Sequence, residues 1–246
     1  MTDLERYRLS RSDAGPFKLW VQPVAGRQYV AGIDSSGGGP DGDYAAAVVL
    51  DAETCGVVAT WHEHKAPIPW GRACARLGWF WNEALLAFET FPSAHGLSAC
   101  HAAIGYGYRR VYRSQLHNRA ARDSTDDIGW HTNSVTKPQM IDRVRLALDD
   151  GCEIPSADLI DELKGQRFEK PKSGLSRLGA PKMVAEDHDD LFIAFAIALM
   201  VRDSAWVAGQ LRSEKIGPQN ETERFWAARE RQEAMRDRYR KAMRRA

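Results

Sequence analysis

The chain is poor in cysteine. Its 246 residues include four, Cys55, Cys74, Cys100 and Cys152, and no two form a Cys-x-x-Cys pair. That scatter argues against a zinc knuckle and against a disulfide framework, and it fits a reducing compartment. The chain also lacks an excess of charge. Its 34 Lys and Arg offset 33 Asp and Glu, for a formal net charge of +1, so any binding to a polyanion must come from a local patch. Long hydrophobic runs are missing as well. The apolar stretch 191–201 is too short to span a bilayer and opens on acids, and no signal-peptide pattern precedes it. These absences predict a soluble cytosolic protein with no membrane partner. No internal repeat is present, and no nucleophilic Ser or Cys stands out.

What is there reads as strands first and helices interspersed. Residues 28–34 (QYVAGID) form an apolar run ending on a carboxylate, followed by the turn-rich SSGGGPDGD at 35–43, where Gly supplies backbone freedom. Residues 44–51 and 57–65 complete a three-strand meander. Pro67 and Pro69 open a helical stretch that includes residues 70–84. A short strand at 85–89 again ends on a carboxylate. A helix at 97–108, an edge strand at 109–114 and an exposed polar loop at 114–127 follow. Thr136 is a candidate N-cap for a helix with Pro138 in its first turn, and Ser156 for the next. Residues 188–203 are apolar on nearly all sides, which predicts a buried helix. The pattern divides the chain into a lead-in segment (1–26), an α/β core (27–203), and a linker with an Arg-rich, charged helical tail (204–246).

The stretch MVAEDHDDLFIAFAIALM, 183–200, sets Glu186, Asp187, Asp189 and Asp190 against the apolar run. A helix N-terminus eases one carboxylate but not a cluster. Asp34 and Glu89 end apolar strands elsewhere. Taken one at a time, these acids read as turn residues or as an N-cap with a first-turn acid. Taken together on apolar elements, they suggest a shared cation site. Oxygen ligands suit Mg²⁺ or Mn²⁺, and two such ions, roughly 3.5–4 Å apart, serve phosphodiester hydrolysis.

Four segments carry a resemblance. YVAGIDSSGGGPDGDYAAAVVLD, LLAFETFPSAHG, GWHTNSVTKPQMIDRVRLALDDG and EDHDDLFIAFAIAL resemble, in order, the motifs of the nuclease domain of tailed-phage terminase large subunits. The likeness runs from about Val21 to Arg202. It implies a ribonuclease H-like mixed β-sheet flanked by helices, and a two-metal endonuclease that cuts concatemeric phage DNA during packaging. Carried over by position, Asp34, Glu89 and Asp189 or Asp190 would hold two Mg²⁺ or Mn²⁺ ions, with Asp34 bridging both. Hydrolysis would leave 5′ phosphate and 3′ hydroxyl ends. Asp43, His95 and Lys137 match further positions of the pattern. Asp43 would support the site or cap a turn, and Lys137 would meet a phosphate or simply open its helix in solvent. The chain departs from the whole family protein in one respect. It has no G-x-x-x-x-G-K-[ST] motif, so an ATPase motor would be supplied by another domain or subunit.

Double-stranded DNA is the implied substrate, and small terminase, portal and motor are the implied partners in the host-cell cytoplasm. Cutting a duplex needs phosphate contacts. The segment YRRVYRSQLHNRAAR, with Arg109, Arg110 and Arg113, interleaves aromatic and basic residues and is the candidate DNA-facing element beside Lys137. The basic tail is a candidate for DNA or for portal docking. Two rival accounts stay open: a Holliday-junction resolvase on the same fold, and a packaging interaction module whose acids are structural.

Overall fold

The computed structural model describes residues 15–39, 42–114, 128–169, 182–184 and 188–205. Within them a six-stranded sheet runs in the order β1 (Phe17–Leu19), β4 (Val57–Glu63), β3 (Ala45–Asp51), β2 (Tyr29–Asp34), β5 (Leu85–Phe91) and β6 (Trp130–His131). The first three pairings are antiparallel, and β2–β5 and β5–β6 are parallel. The sheet is therefore mixed, with the meander on one side of β2 and crossovers on the other. A separate antiparallel pair joins β7 (Arg167–Glu169) and β8 (Lys182–Val184).

Alternation along the strands builds two cores. On β2 and β3, Val30, Ala46, Val48 and Leu50 face one layer, whereas Tyr29, Ala31, Ile33, Ala45, Ala47 and Val49 face the other. The second layer holds α1 (Pro67–Phe80) and α2 (Ala94–Gly105), which pack on each other. The first holds α3 (Thr136–Asp149), α4 (Ala157–Gly165) and α5 (Asp190–Val201). Both faces of the sheet are covered, so its strands are nearly continuous apolar runs rather than alternating ones.

Helix α5 is buried from Leu191 through Leu199. It crosses β2 so closely that a Cβ on Gly32 would lie 1.9 Å from the Ala194 carbonyl oxygen. That contact explains why the helix carries no polar face: it is enclosed by β2, β3, α3 and α4.

Several boundaries differ from the sequence expectation. Phe17–Leu19 pairs with β4, within the stretch read as a lead-in segment outside the core. α1 ends at Phe80 because Asn82 and Glu83 both have positive φ (53° and 56°), and two left-handed residues end a right-handed helix. α2 starts at Ala94, with the Ser93 side chain accepting from the His95 N–H, and stops at Gly105. Segment 109–114 is held by isolated bridges beside Leu86 and Ile128 rather than as a regular strand.

Thr136 is not the N-cap of α3. It lies inside the helix and its hydroxyl donates to His131 O, while Asn133 Oδ1 accepts from the N–H groups of Val135 and Thr136. Asn133 was the better-placed acceptor because the chain enters through an Asx turn. Ser156 does cap α4, accepting from Leu159 N–H. Among the described residues no helix is long and apolar enough to cross a membrane. The loop 115–127, Glu186, Asp187, and the linker and basic tail from 206 onward lie outside the described residues.

Candidate functional site

The site grows from strand register. β2 and β5 run parallel with Ile33 opposite Phe88, so the next residues, Asp34 at the end of β2 and Glu89 within β5, lie side by side. β5 runs on to Phe91, two residues past the end expected from the sequence, because it continues to pair with β6. Both belong to the alternating set that includes Val30, Leu85 and Ala87, and so project toward the α5 layer. Asp190 enters from that layer at the first turn of α5. A cleft of about 410 Å³ is lined by Asp34, Asp43, Glu89, His95, Asp189 and Asp190, together with Ser35–Gly37, Gly42, Tyr44, Ser93 and His188. All four acids read from the sequence as ligands, and two of the three supporting residues, therefore line one opening.

Each acid is held by its own surroundings. The Asp34 carboxylate accepts from Ser35 N–H at 2.7 Å, and its main-chain carbonyl accepts from Trp70 Nε1 at 3.2 Å. Glu89 is 8% exposed, with Thr132 and Asp34 as its polar neighbours. Its main chain is pinned by α2, where a Cβ on Gly96 would overlap the Glu89 carbonyl oxygen at 1.5 Å. Asp190 is 7% exposed, and its Oδ2 has no hydrogen-bond partner among the described residues. The nearest cationic candidates are His62 Nε2 at 3.6 Å, itself buried without a partner, and His188 Nδ1 at 3.9 Å. Asp189 is more open, with Lys137 Nζ 4.0 Å away.

Electrostatics record the crowding. Burial raises the Asp34 carboxyl well above the usual range, and the charges of Glu89, Asp190 and Asp189 raise it further. Glu89 and Asp189 are raised too, mainly by burial, with Lys137 opposing. Acidic groups at this density hold protons or need a cation. Among the described residues, no three His, Cys, Asp or Glu side chains are drawn around a single point as a loaded ion site would have them.

Lys137 is not part of the cleft lining and reaches it only through Asp189, 4.0 Å from its Nζ. His95 and Asp43 are exposed on the cleft rim. The arginines behave differently. Arg110 is not available as a DNA contact: its guanidinium donates to the main-chain carbonyls of Glu83 (2.9 Å) and Ala205 (2.6 Å), at the opposite end of β5 from Glu89. Arg109 and Arg113 are exposed but are not part of the cleft lining.

Sequence reasoning missed three groups. Glu162 on α4 accepts from Phe192 N–H at 2.8 Å and so caps α5; burial, with Asp190 and Asp189 nearby, pushes its carboxyl up to about 8. His62 faces Asp190 from β4. Tyr44 stacks on His64, with ring centroids 3.8 Å apart, and meets His188 edge-on, forming a wall of the cleft. None carries a local signal, since each partner comes from a distant segment; only the His-x-His spacing at 62 and 64 was visible.

No protein-family model and no curated protein matches this chain. Solved structures do. The large terminase nuclease of thermophilic phage G20c with bound magnesium is 17% identical, with a TM-score of 0.60 over 77% of this chain and 89% of that one. Its form with bound cobalt is 16% identical (TM-score 0.59; 77% and 89%). The large terminase nuclease domain of Thermus phage P74-26 is 19% identical (TM-score 0.55; 77% and 87%). The chain thus has the ribonuclease H-like fold that the motif order implied.

Proposed function

We propose that this chain is a metal-dependent DNA endonuclease of the terminase type, cutting concatemeric double-stranded DNA during phage genome packaging in the host cytoplasm. The observation that carries the reading is the convergence of Asp34, Glu89 and Asp190 from three separate elements on one cleft, each buried or half-buried. The likeness to terminase nucleases solved with bound magnesium and cobalt supports both DNA as substrate and a divalent cation as cofactor.

The donor set fits Mg²⁺ or Mn²⁺. It offers carboxylate oxygens, the ligands hard cations select. A buried carboxylate oxygen without a donor, as at Asp190, has a charge that only a cation or a proton offsets. Asp34, Glu89 and Asp190 would be the ligands, with Asp34 shared and Asp189 toward the outer rim. When bound, two such ions supply an acidified attacking water and offset charge on the departing 3′ oxygen.

The chain's own residues do the rest. Ser35 N–H and Trp70 fix Asp34. Thr132 orients Glu89. Glu162 holds the first turn of α5 so that Asp190 faces the cleft. Lys137, beside Asp189, is placed to meet a DNA phosphate as a point charge. His95 and Asp43 border the approach. The ATPase motor, small terminase and portal are the proposed partners. Residues 27–203 are the proposed nuclease unit, with β1 of the lead-in (1–26) completing its sheet, and 204–246 are the proposed basic tail.

A nicking assay on supercoiled plasmid with Mg²⁺ or Mn²⁺ tests this. Asp34→Asn should reduce cleavage by more than about a hundredfold, the upper range for losing a mere outer partner of a metal site, while fold and DNA retention persist. Cleavage at the parental rate would sink the assignment. Preference for a four-way junction over linear duplex would redirect it to a resolvase.

A further inference from the structure

The turn between β3 and β4 lies at the end of the sheet remote from the acidic cleft. Asp51 pairs with Tyr29, at the start of β2, whereas Asp34 at its end pairs with Ala46. The length of β2 puts about 17 Å between the two ends. Asp51 Oδ1 accepts from the N–H groups of Glu53 and Thr54, closing the turn. Cys55 follows with φ of 67°, a left-handed conformation that a residue with a Cβ keeps only where its surroundings impose it.

The segment after α3 lies against this turn. Val57 N–H donates to Glu153 O at 2.9 Å, and the Cys152 thiol donates to Cys55 O at 2.8 Å. That bond sets the two side chains beside each other on one cavity, and both cysteines are free and half-buried. They line a cavity of about 160 Å³ with Thr54, Arg143, Asp150 and Arg202. Arg143 and Arg202 share Asp203 as ion-pair partner, at 3.2 and 3.7 Å. Asp150 and Glu153 are the other acids facing the pair.

The neighbouring Cys152 thiol holds the Cys55 thiol down to about 6 against its burial, and Arg202 and Arg143 add to this. Cys55 in turn, with burial, pushes Cys152 up. Cys74 and Cys100 lie buried in the core and burial pushes both up, Cys100 to about 12. A half-exposed thiolate beside cations and a second thiol has the makings of a reactive pair.

We propose that Cys55 and Cys152 form a thiol–disulfide exchange site, in which Cys55 is the nucleophile toward an anionic low-molecular-weight disulfide and Cys152 is the resolving thiol. The Cys55 thiolate attacks one sulfur of the disulfide, forming a mixed disulfide and expelling one thiolate. Cys152 then attacks Cys55 Sγ, its proton passing to an expelled thiolate, and the second small thiolate leaves. Two protein thiols are oxidised and one small disulfide is reduced to two thiols, so no other electron acceptor is needed. Arg143 and Arg202 select an anionic partner because they flank the cavity that the incoming molecule enters.

The full chain is incubated at pH 7 with glutathione disulfide, quenched in acid and peptide-mapped by mass spectrometry. The expected product is a Cys55–Cys152 crosslink, with Cys74 and Cys100 unmodified. Cys152→Ser should accumulate one glutathionyl group on Cys55. Cystamine, a cationic disulfide, should react several-fold more slowly, and Arg143→Gln should bring the two rates together. Iodoacetamide alkylation of the unsubstituted chain, which needs no variant to fold, should strike Cys55 first. Alkylation of Cys55 no faster than of Cys74 and Cys100, or no adduct on Cys55 in a folded Cys152→Ser chain, overturns the site. Equal rates for the two disulfides overturn its ligand class.

Discussion

Asp189 and Asp190 are neighbours in sequence but meet different surroundings. Asp190 is buried, with an oxygen that no donor among the described residues reaches, whereas Asp189 is open and stands by Lys137. Asp190→Asn should therefore depress plasmid nicking more than Asp189→Asn, by at least tenfold in rate, which is about 1.4 kcal/mol of barrier. Equal losses would move the inner ligand. Glu162 offers a second residue-level test. Glu162→Ala removes the acceptor for Phe192 N–H and should cost about 1 kcal/mol in chemical denaturation, as for other helix caps. Glu162→Gln keeps an amide oxygen there and should cost much less. Asp34 and Glu89 were legible in the sequence because a carboxylate ending an apolar strand needs explanation on sight. Glu162 and His62 were not, because their partners lie far along the chain and nothing local marks the encounter.

At the scale of elements, α5 decides most. Its all-apolar sequence announced burial, and the structure adds the reason: Gly32 lets the helix backbone approach β2. Gly32→Ala should destabilise the fold by about 1–3 kcal/mol through overpacking, seen as a lower denaturation midpoint with an unchanged slope. The meander and α3–α5 followed from apolar spacing and Pro or Ser signals. β1 did not, since three residues give too short a run to show a period, and its strand character comes from pairing with β4. The N-cap of α3 was misplaced for a related reason. Asn133 and Thr136 are both good cap residues, and only the path of the chain through the turn chooses between them.

For the whole molecule, the raised carboxyls set a pH dependence. Asp34, Glu89, Asp189 and Glu162 bind protons more tightly folded than unfolded. Their contribution is complete below the unfolded values near pH 4 and is lost as pH rises through the folded ones, which for Glu162 is about 8. In chelator, the melting temperature should fall between about pH 5 and 8.5. Mg²⁺ or Mn²⁺ added at the alkaline end should restore part of it, because a ligand that binds only the folded state stabilises it. A flat profile by differential scanning calorimetry would show that the acids are not in conflict.

The order of the chain has a consequence for synthesis. Asp34 and Glu89 arrive on strands made early, but Asp190 arrives on α5, the last described helix, which docks against β2. While that helix is still inside the ribosome, the nascent polypeptide lacks one wall of the acidic cleft. The opening that the proposed chemistry would use takes shape only once α5 has emerged and settled on the sheet.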